Sequence, residues 1–229
     1  TSNAPDVTAG AGPAVSTTDR PSANPERNAY FGNVHVHTGY SFDAFTNGSK
    51  TTPQDAYNWA QGKSITGSGL GPEIKIVTPL DFYAVADHAE YMGVFNQMSD
   101  PDSQFGKLPI AKRVTSPDAV TRMEAFAEVL REMSAGRSDP QLADPAAARS
   151  VWAGIVKTAD ANYVPGKFTT FAAFEWTSNP DKRNLHRVVM FRDTAKLPEL
   201  VMSALDSDQP EALWTWMEGL RARGSTLFA

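Results

Sequence analysis

Short apolar runs alternate along this chain with longer stretches of helical period, and several of the runs end in a histidine or a carboxylate. In Tyr30–His37, Val34 and Val36 alternate with His35 and His37 as in a strand with two unlike faces, so both imidazoles share one face, about 7 Å apart along the backbone. Leu80–Ala86 is an apolar run that delivers Asp87 and His88 at its C-terminal end. Phe168–Phe174 reads as a strand ending at Glu175, and Leu185–Phe191 as one carrying His186 at its start. Ile74–Val77 is a further strand candidate, and Thr226–Ala229 begins a last apolar run.

Between these runs, Thr52 and Pro53 open a helix over Gln54–Gln61 with Gly62 as its stop. Ser116–Ala135 is predicted to be helical, capped by Ser116 and closed by Gly136. Its Val120, Met123, Phe126, Ala127 and Leu130 form an apolar stripe expected to enter the core. Asp144–Ala161 and Asp208–Arg223 complete the helical set. Strand and helix patterns in this alternation predict an α/β fold with a mostly parallel sheet or barrel.

Residues 1–29, rich in Ser, Thr, Ala, Asn, Gly and Pro, have the composition of a flexible leader, which leaves 30–229 as one domain. A net charge of -5 lacks the basic excess that displaces counterions from phosphates, so no nucleic-acid partner is expected. No run approaches the roughly 18 apolar residues of a membrane span. A polar leader beginning at Thr1 fits a periplasmic or secreted protein after removal of an export signal, with the cytoplasm as the alternative. The chain has no cysteine, so any metal must be held by imidazole and carboxylate.

All four histidines lie in strand or strand-end contexts. His-x-His on one strand face suits a single ion, and a pair of surface histidines is the competing reading. Asp43, six residues after His37 in a Gly- and Ser-containing loop, can fold back over such an ion or be an ordinary loop aspartate. His88 is expected as a ligand, with Asp87 supporting an imidazole from behind. Glu175 follows an aromatic strand where an unpaired charge is costly, which suits a carboxylate bridging two metals. Lys182 and Arg183 in the turn before His186, and Arg187 after it, are candidates to hold an anionic substrate; a solvated charged turn is the more usual role for such residues.

These segments resemble motifs of the PHP superfamily, named for polymerase and histidinol phosphatase domains, and in particular a bacterial branch of it. Phe31-Gly32-Asn33-Val34-His35-Val36-His37-Thr38 with Tyr40-Ser41-Phe42-Asp43-Ala44 is similar to the first motif. Pro79-Leu80-Asp81-Phe82 through Asp87-His88-Ala89-Glu90-Tyr91 is similar to the second, and Phe174-Glu175-Trp176-Thr177 with Leu185-His186-Arg187 to the third. The resemblance implies a distorted TIM-like (β/α)7 barrel with two or three divalent metals, zinc, manganese or iron, at the C-terminal ends of its strands. It implies that His35 and His37 hold one metal, His88 and His186 another, that Glu175 bridges and that Asp43 joins them.

The sequence departs from that pattern where Gly32-Asn33 stands for Gly-Asp, and in having no histidine after His186. The chain is therefore expected to be the N-terminal part of a longer protein whose remainder completes the barrel. The expected activity is that of a metal-dependent hydrolase, a phosphoesterase in which a metal-bound hydroxide attacks a small anionic phosphate ester, with Asp43, Glu175 and His88 as catalytic residues. Hydrolysis of another ester, a sulfate or an amide, and a non-catalytic domain stabilised by metal, are the alternatives.

Overall fold

A computed structural model describes residues 24–67, 71–179 and 183–229; residues 1–23 of the expected leader lie outside the described residues. In chain order the elements are β1 (Gly32–Val36), α1 (Phe42–Thr46), α2 (Pro53–Ala60), β2 (Phe82–Val85), α3 (Val94–Gln97), α4 (Ala111–Val114), α5 (Ala119–Ser134), α6 (Pro145–Asn162), β3 (Thr169–Ser178), β4 (Leu185–Phe191), α7 (Pro210–Ala222) and β5 (Leu227–Phe228). The strands form one five-stranded sheet in the order β1-β2-β3-β4-β5. β1, β2 and β3 run parallel, whereas β4 is antiparallel to β3 and β5 to β4.

The chain is thus α/β, but its sheet is open and mixed, and the expected TIM-like barrel is not what the described residues form. The reason lies in one connection. β3 ends at Ser178 and β4 begins at Leu185, and so short a link makes a hairpin, because a parallel crossover needs a dozen or more residues. The seven cross-strand pairs from Ala172↔Phe191 to Ser178↔Leu185 follow from that hairpin.

Helices cover one face of the sheet. α2 and α6 pack Ala56, Tyr57, Ala60 and Ala159 against Tyr83 and Val85. α6 and α7 pack Trp152, Ile155, Leu213, Met217 and Leu220 against Phe174, Trp176, Val189 and Phe191. The opposite face carries Ala84, Ala86, Ala173 and Met190, with Val34, Phe171 and Val188 partly buried beside them. A fourth cluster, built on Phe42, Phe45, Tyr91, Phe95 and Val129, joins α1, α3 and α5.

Local chemistry accounts for most element ends. Thr52 caps α2 in a reciprocal box with Asp55, and Pro53 takes the first helical position, where no backbone N–H is required. Asp144 accepts from Ala146 N and Ala147 N to cap α6. α5 starts later than Ser116, because the Asp118 carboxylate takes the cap and accepts from Thr121 N. Its stripe is also rotated from expectation. Ala125 and Val129 are the buried positions, Phe126 and Leu130 pack beside them, and Val120 is 65% exposed. Ile74–Val77 forms no strand: Ile74 makes a single bridge to Ile65, and Val77 projects into solvent.

β1 departs from ideal alternation. A register irregularity between Asn33 and Val36 sends Val34 to the Ala84 cluster and Val36 to the Tyr83 cluster. Gly32 is required by the close approach of β1 to β2, since a Cβ there would collide with the Phe82 carbonyl and ring.

Candidate metal centre

Three parallel strands and one antiparallel partner bring their chemistry to a single rim of the sheet. His35 and His37 lie at the C-terminal end of β1, His88 follows β2, Glu175 lies in the second half of β3, and His186 opens β4. Because β4 runs antiparallel, its first residues sit beside the last of β3, and His186 pairs in register with Thr177. Alternation then places Glu175, Thr177 and His186 on one face.

The Glu175 carboxylate is fully buried at the centre. Its Oε1 lies 2.9 Å from His35 Nε2 and 2.7 Å from His186 Nδ1. Its Oε2 lies 2.8 Å from His37 Nε2 and 3.3 Å from His88 Nδ1. Asp43, in the first turn of α1, completes the cluster with Oδ1 at 3.2 Å from His37 Nδ1 and Oδ2 at 3.4 Å from His88 Nε2. All six expected ligand side chains therefore converge.

Buried His, Asp and Glu groups of this kind can hold a metal ion. Three overlapping sets, His35/His37/Glu175, His37/Asp43/His88 and His88/Glu175/His186, each present ligand atoms within 4.8 Å of one another. The fit is supported by two orphaned atoms. His37 Nε2 and Glu175 Oε2 are buried and close, yet neither makes a hydrogen bond of acceptable direction. Two such atoms buried side by side are costly unless a proton or a metal cation lies between them.

The loop between β1 and Asp43 is shaped by Asp87. Its Oδ1 accepts from Thr38 N at 2.6 Å and from Ser41 Oγ at 3.0 Å, and its Oδ2 accepts from Thr38 Oγ1 at 2.8 Å. Ser41 Oγ in turn accepts from His88 N at 2.9 Å. Asp87 was expected to support an imidazole directly; its hydrogen bonds go instead to the loop that carries Asp43. Thr38, Ser41 and Thr177, whose hydroxyl lies 2.7 Å from His88 Nδ1, were not foreseen. Each is one to three residues from a ligand, and the alternation of β3 was the available signal for Thr177.

Of the three residues expected to clamp a substrate, Arg183 and Arg187 are described. Lys182 lies outside the described residues, Arg183 is exposed, and Arg187 donates to the His186 carbonyl. Arg187 pairs in register with Trp176, on the sheet face opposite Glu175. Among the described residues, no lysine or arginine forms an ion pair with Asp43 or Glu175.

Burial alone would lower the pKa of His37, but Asp43 and Glu175 overcome it and push it up to about 9. For His88 burial is likewise outweighed, by Asp43 and Glu90, and its pKa rises to about 10. Burial would raise Asp43 and Glu175, yet the adjacent imidazoles hold both carboxyls far below the usual range. The signs fix the pH behaviour of the metal-free chain. What His37 and His88 contribute to stability is fully present below their ordinary 6.5 and is lost as pH rises through about 9 and 10. What Asp43 and Glu175 contribute is present above their ordinary 3.8 and 4.5 and is lost on acidification.

A cation must displace the imidazole protons, so metal affinity is expected to rise with pH from 7 to 9. Calorimetric titration at pH 7 in two buffers of different ionisation enthalpy is expected to show release of about two protons per chain. Proton-independent binding would contradict this protonation of the cluster.

A family model described as "Protein of unknown function (DUF3604)" matches residues 24–229, which takes in every side chain of the cluster. No curated protein and no solved structure matches the chain.

Proposed function

The chain belongs to the DUF3604 family, and we propose that it is a metal-dependent hydrolase whose substrate is a small phosphate ester. The observation that carries this reading is the sharing of one buried carboxylate, Glu175, by four imidazoles from three strand ends, with Asp43 closing the far side. A lone structural ion needs four ligands; this cluster offers six in overlapping sets, as a centre of two or three ions would use. Imidazole with carboxylate suits zinc, manganese or iron.

Bound ions of this kind supply Lewis acidity, lowering the pKa of water towards about 7 and offsetting negative charge on phosphoryl oxygens. The chain's own residues do the rest. Glu175 fixes the four rings relative to one another. Asp43, partly exposed at the rim and held ionised by His37 and His88, orients a water from the solvent side. Two divalent cations held by Asp43 and Glu175 would outweigh the charge of those two carboxylates. This would favour an anionic substrate, and among the described residues no lysine or arginine pairs with Asp43 or Glu175 to do so.

A second reading is hydrolysis of a sulfate, carboxyl ester or amide: among the described residues no arginine pairs with the cluster, and water activation by a metal does not itself select phosphorus. A panel of para-nitrophenyl phosphate, sulfate and acetate and an anilide, assayed with added manganese or zinc, separates the two. Phosphate turnover that a chelator abolishes is expected. Turnover of the acetate or anilide without the phosphate would transfer the site to the second reading, and metal uptake with no turnover of any would leave a non-catalytic metal domain.

No described helix is long and apolar enough to cross a membrane. The expected export remains part of the proposal, resting on the polar leader alone.

A further inference from the structure

We propose that Glu90 is a positioning residue for His88: with the Thr177 hydroxyl it holds the Nδ1 edge of the ring, so that Nε2 is the edge presented to the metal beside Asp43. The inference rests on the metal-centre reading above and adds to it a residue and an orientation. Glu90 is completely buried. Its Oε1 accepts from Ala204 N at 2.7 Å and from Thr177 N at 3.2 Å. These two bonds fix the carboxylate plane and leave Oε2 buried without a hydrogen bond, 3.6 Å from His88 Nδ1.

A buried carboxylate needs a compensating donor or cation, and among the described residues Glu90 is paired with no lysine or arginine. The nearest polarisable positive group is the imidazole edge. Glu175 Oε2 also approaches this Nδ1, at 3.3 Å, but the nearest group is Thr177 Oγ1 at 2.7 Å, and Thr177 also supplies the backbone donor to Glu90, so ring, hydroxyl and carboxylate form one unit. With an N–H at Nδ1 donating to Thr177 Oγ1, the lone pair lies on Nε2, which faces Asp43 Oδ2 at 3.4 Å.

The backbone is bent to this purpose. Tyr91, next to Glu90, has φ of +52°, a left-handed conformation unfavourable for a bulky residue. It turns the chain so that Glu90 enters the site side while the Tyr91 ring enters the Phe42 and Phe95 cluster. Through Ala204, Glu90 also ties His88 to the segment before α7, where Trp176 Nε1 donates to Ser207 O.

The test uses the full chain with Glu90→Gln, which keeps an oxygen for the Ala204 and Thr177 amides and removes the charge. Zinc affinity by competition titration is expected to fall about 10- to 100-fold, with the metal-free melting temperature within a few degrees of wild type. Imidazole ¹⁵N spectra of the zinc-loaded wild type are expected to show His88 protonated at Nδ1 and metal-bound at Nε2. Should the Gln variant fail to fold, Thr177→Val removes the hydroxyl alone and must show the same loss.

Zinc binding by wild type with equal affinity in the folded variant, or His88 bound through Nδ1, overturns this inference and leaves the metal centre standing. A wild-type chain that takes up no zinc overturns both.

Discussion

Replacing Glu175 by alanine is expected to abolish metal uptake and all turnover that depends on it. Glu175 is the one group in contact with His35, His37, His88 and His186, and it belongs to two of the three ligand sets. Loss of a residue that merely supports a ligand costs about 10- to 100-fold in metal affinity, so loss of a shared ligand should exceed about 100-fold. The metal-free variant is expected to be less stable than wild type, because the buried His37 and His88 lose a neighbouring carboxylate. His37 loses one of the two carboxylates that raise its pKa, so its protonation should shift to lower pH. Elemental analysis of purified Glu175→Ala beside wild type, with circular dichroism as the control for folding, reads the effect; metal content unchanged from wild type would contradict it.

Replacing Asp87 by alanine is expected to act differently, through stability. Thr38 N, Thr38 Oγ1 and Ser41 Oγ would each lose an acceptor inside the protein, where water cannot replace it. A cost of about 3–5 kcal/mol follows from leaving such groups unpaired, which in a chain of this size lowers the melting temperature by about 10 °C. Because the same loop carries Asp43, metal affinity should fall as well, but the loss of stability should persist with metal removed. Thermal unfolding of the metal-free variant checks this, and a melting temperature equal to wild type would show that Asp87 does not hold the loop. The two substitutions thus report on different roles: Glu175 touches the ligand imidazoles themselves, whereas the hydrogen bonds of Asp87 go to Thr38 and Ser41 and act through the loop.

The histidine ligands were legible in the sequence because they lie in or beside short apolar runs. His35 and His37 lie at the C-terminal end of β1, His88 follows the apolar run of β2, and β4 spans Leu185–Phe191 as its apolar pattern predicts. The start of α2 was legible for a chemical reason: the Thr52 side chain accepts from Asp55 N, and Thr52 precedes a proline, whereas at α5 the cap falls to Asp118 rather than Ser116. The sheet's direction was misread because apolar pattern says nothing of strand polarity. That information lay in the short link between Ser178 and Leu185, which only a hairpin satisfies. The α5 stripe was misjudged for a related reason. Periodicity finds an apolar face, but which part of it is buried depends on α1 and α3 packing on Ala125 and Val129 rather than on Val120.

The hydrogen-bonded surroundings of the ligands were the least legible part. Asp87 was singled out by its neighbour His88, but its partners Thr38 and Ser41 lie 49 and 46 residues away, a pairing only the fold creates. Glu90 and Thr177, 87 apart in sequence, meet for the same reason, since parallel pairing sets the C-terminal ends of β2 and β3 side by side. The charge of the cluster is likewise a property of the assembly. His37 and His88 are raised and Asp43 and Glu175 depressed only because they face one another.

Anomalous diffraction from crystals soaked in zinc tests the centre most directly. Density is expected at the rim of the sheet, within coordination distance of His37 Nε2 and a Glu175 oxygen, with a further ion bounded by His88. Zinc confined to other surface residues, with Glu175 and the four imidazoles still contacting one another directly, would contradict the account.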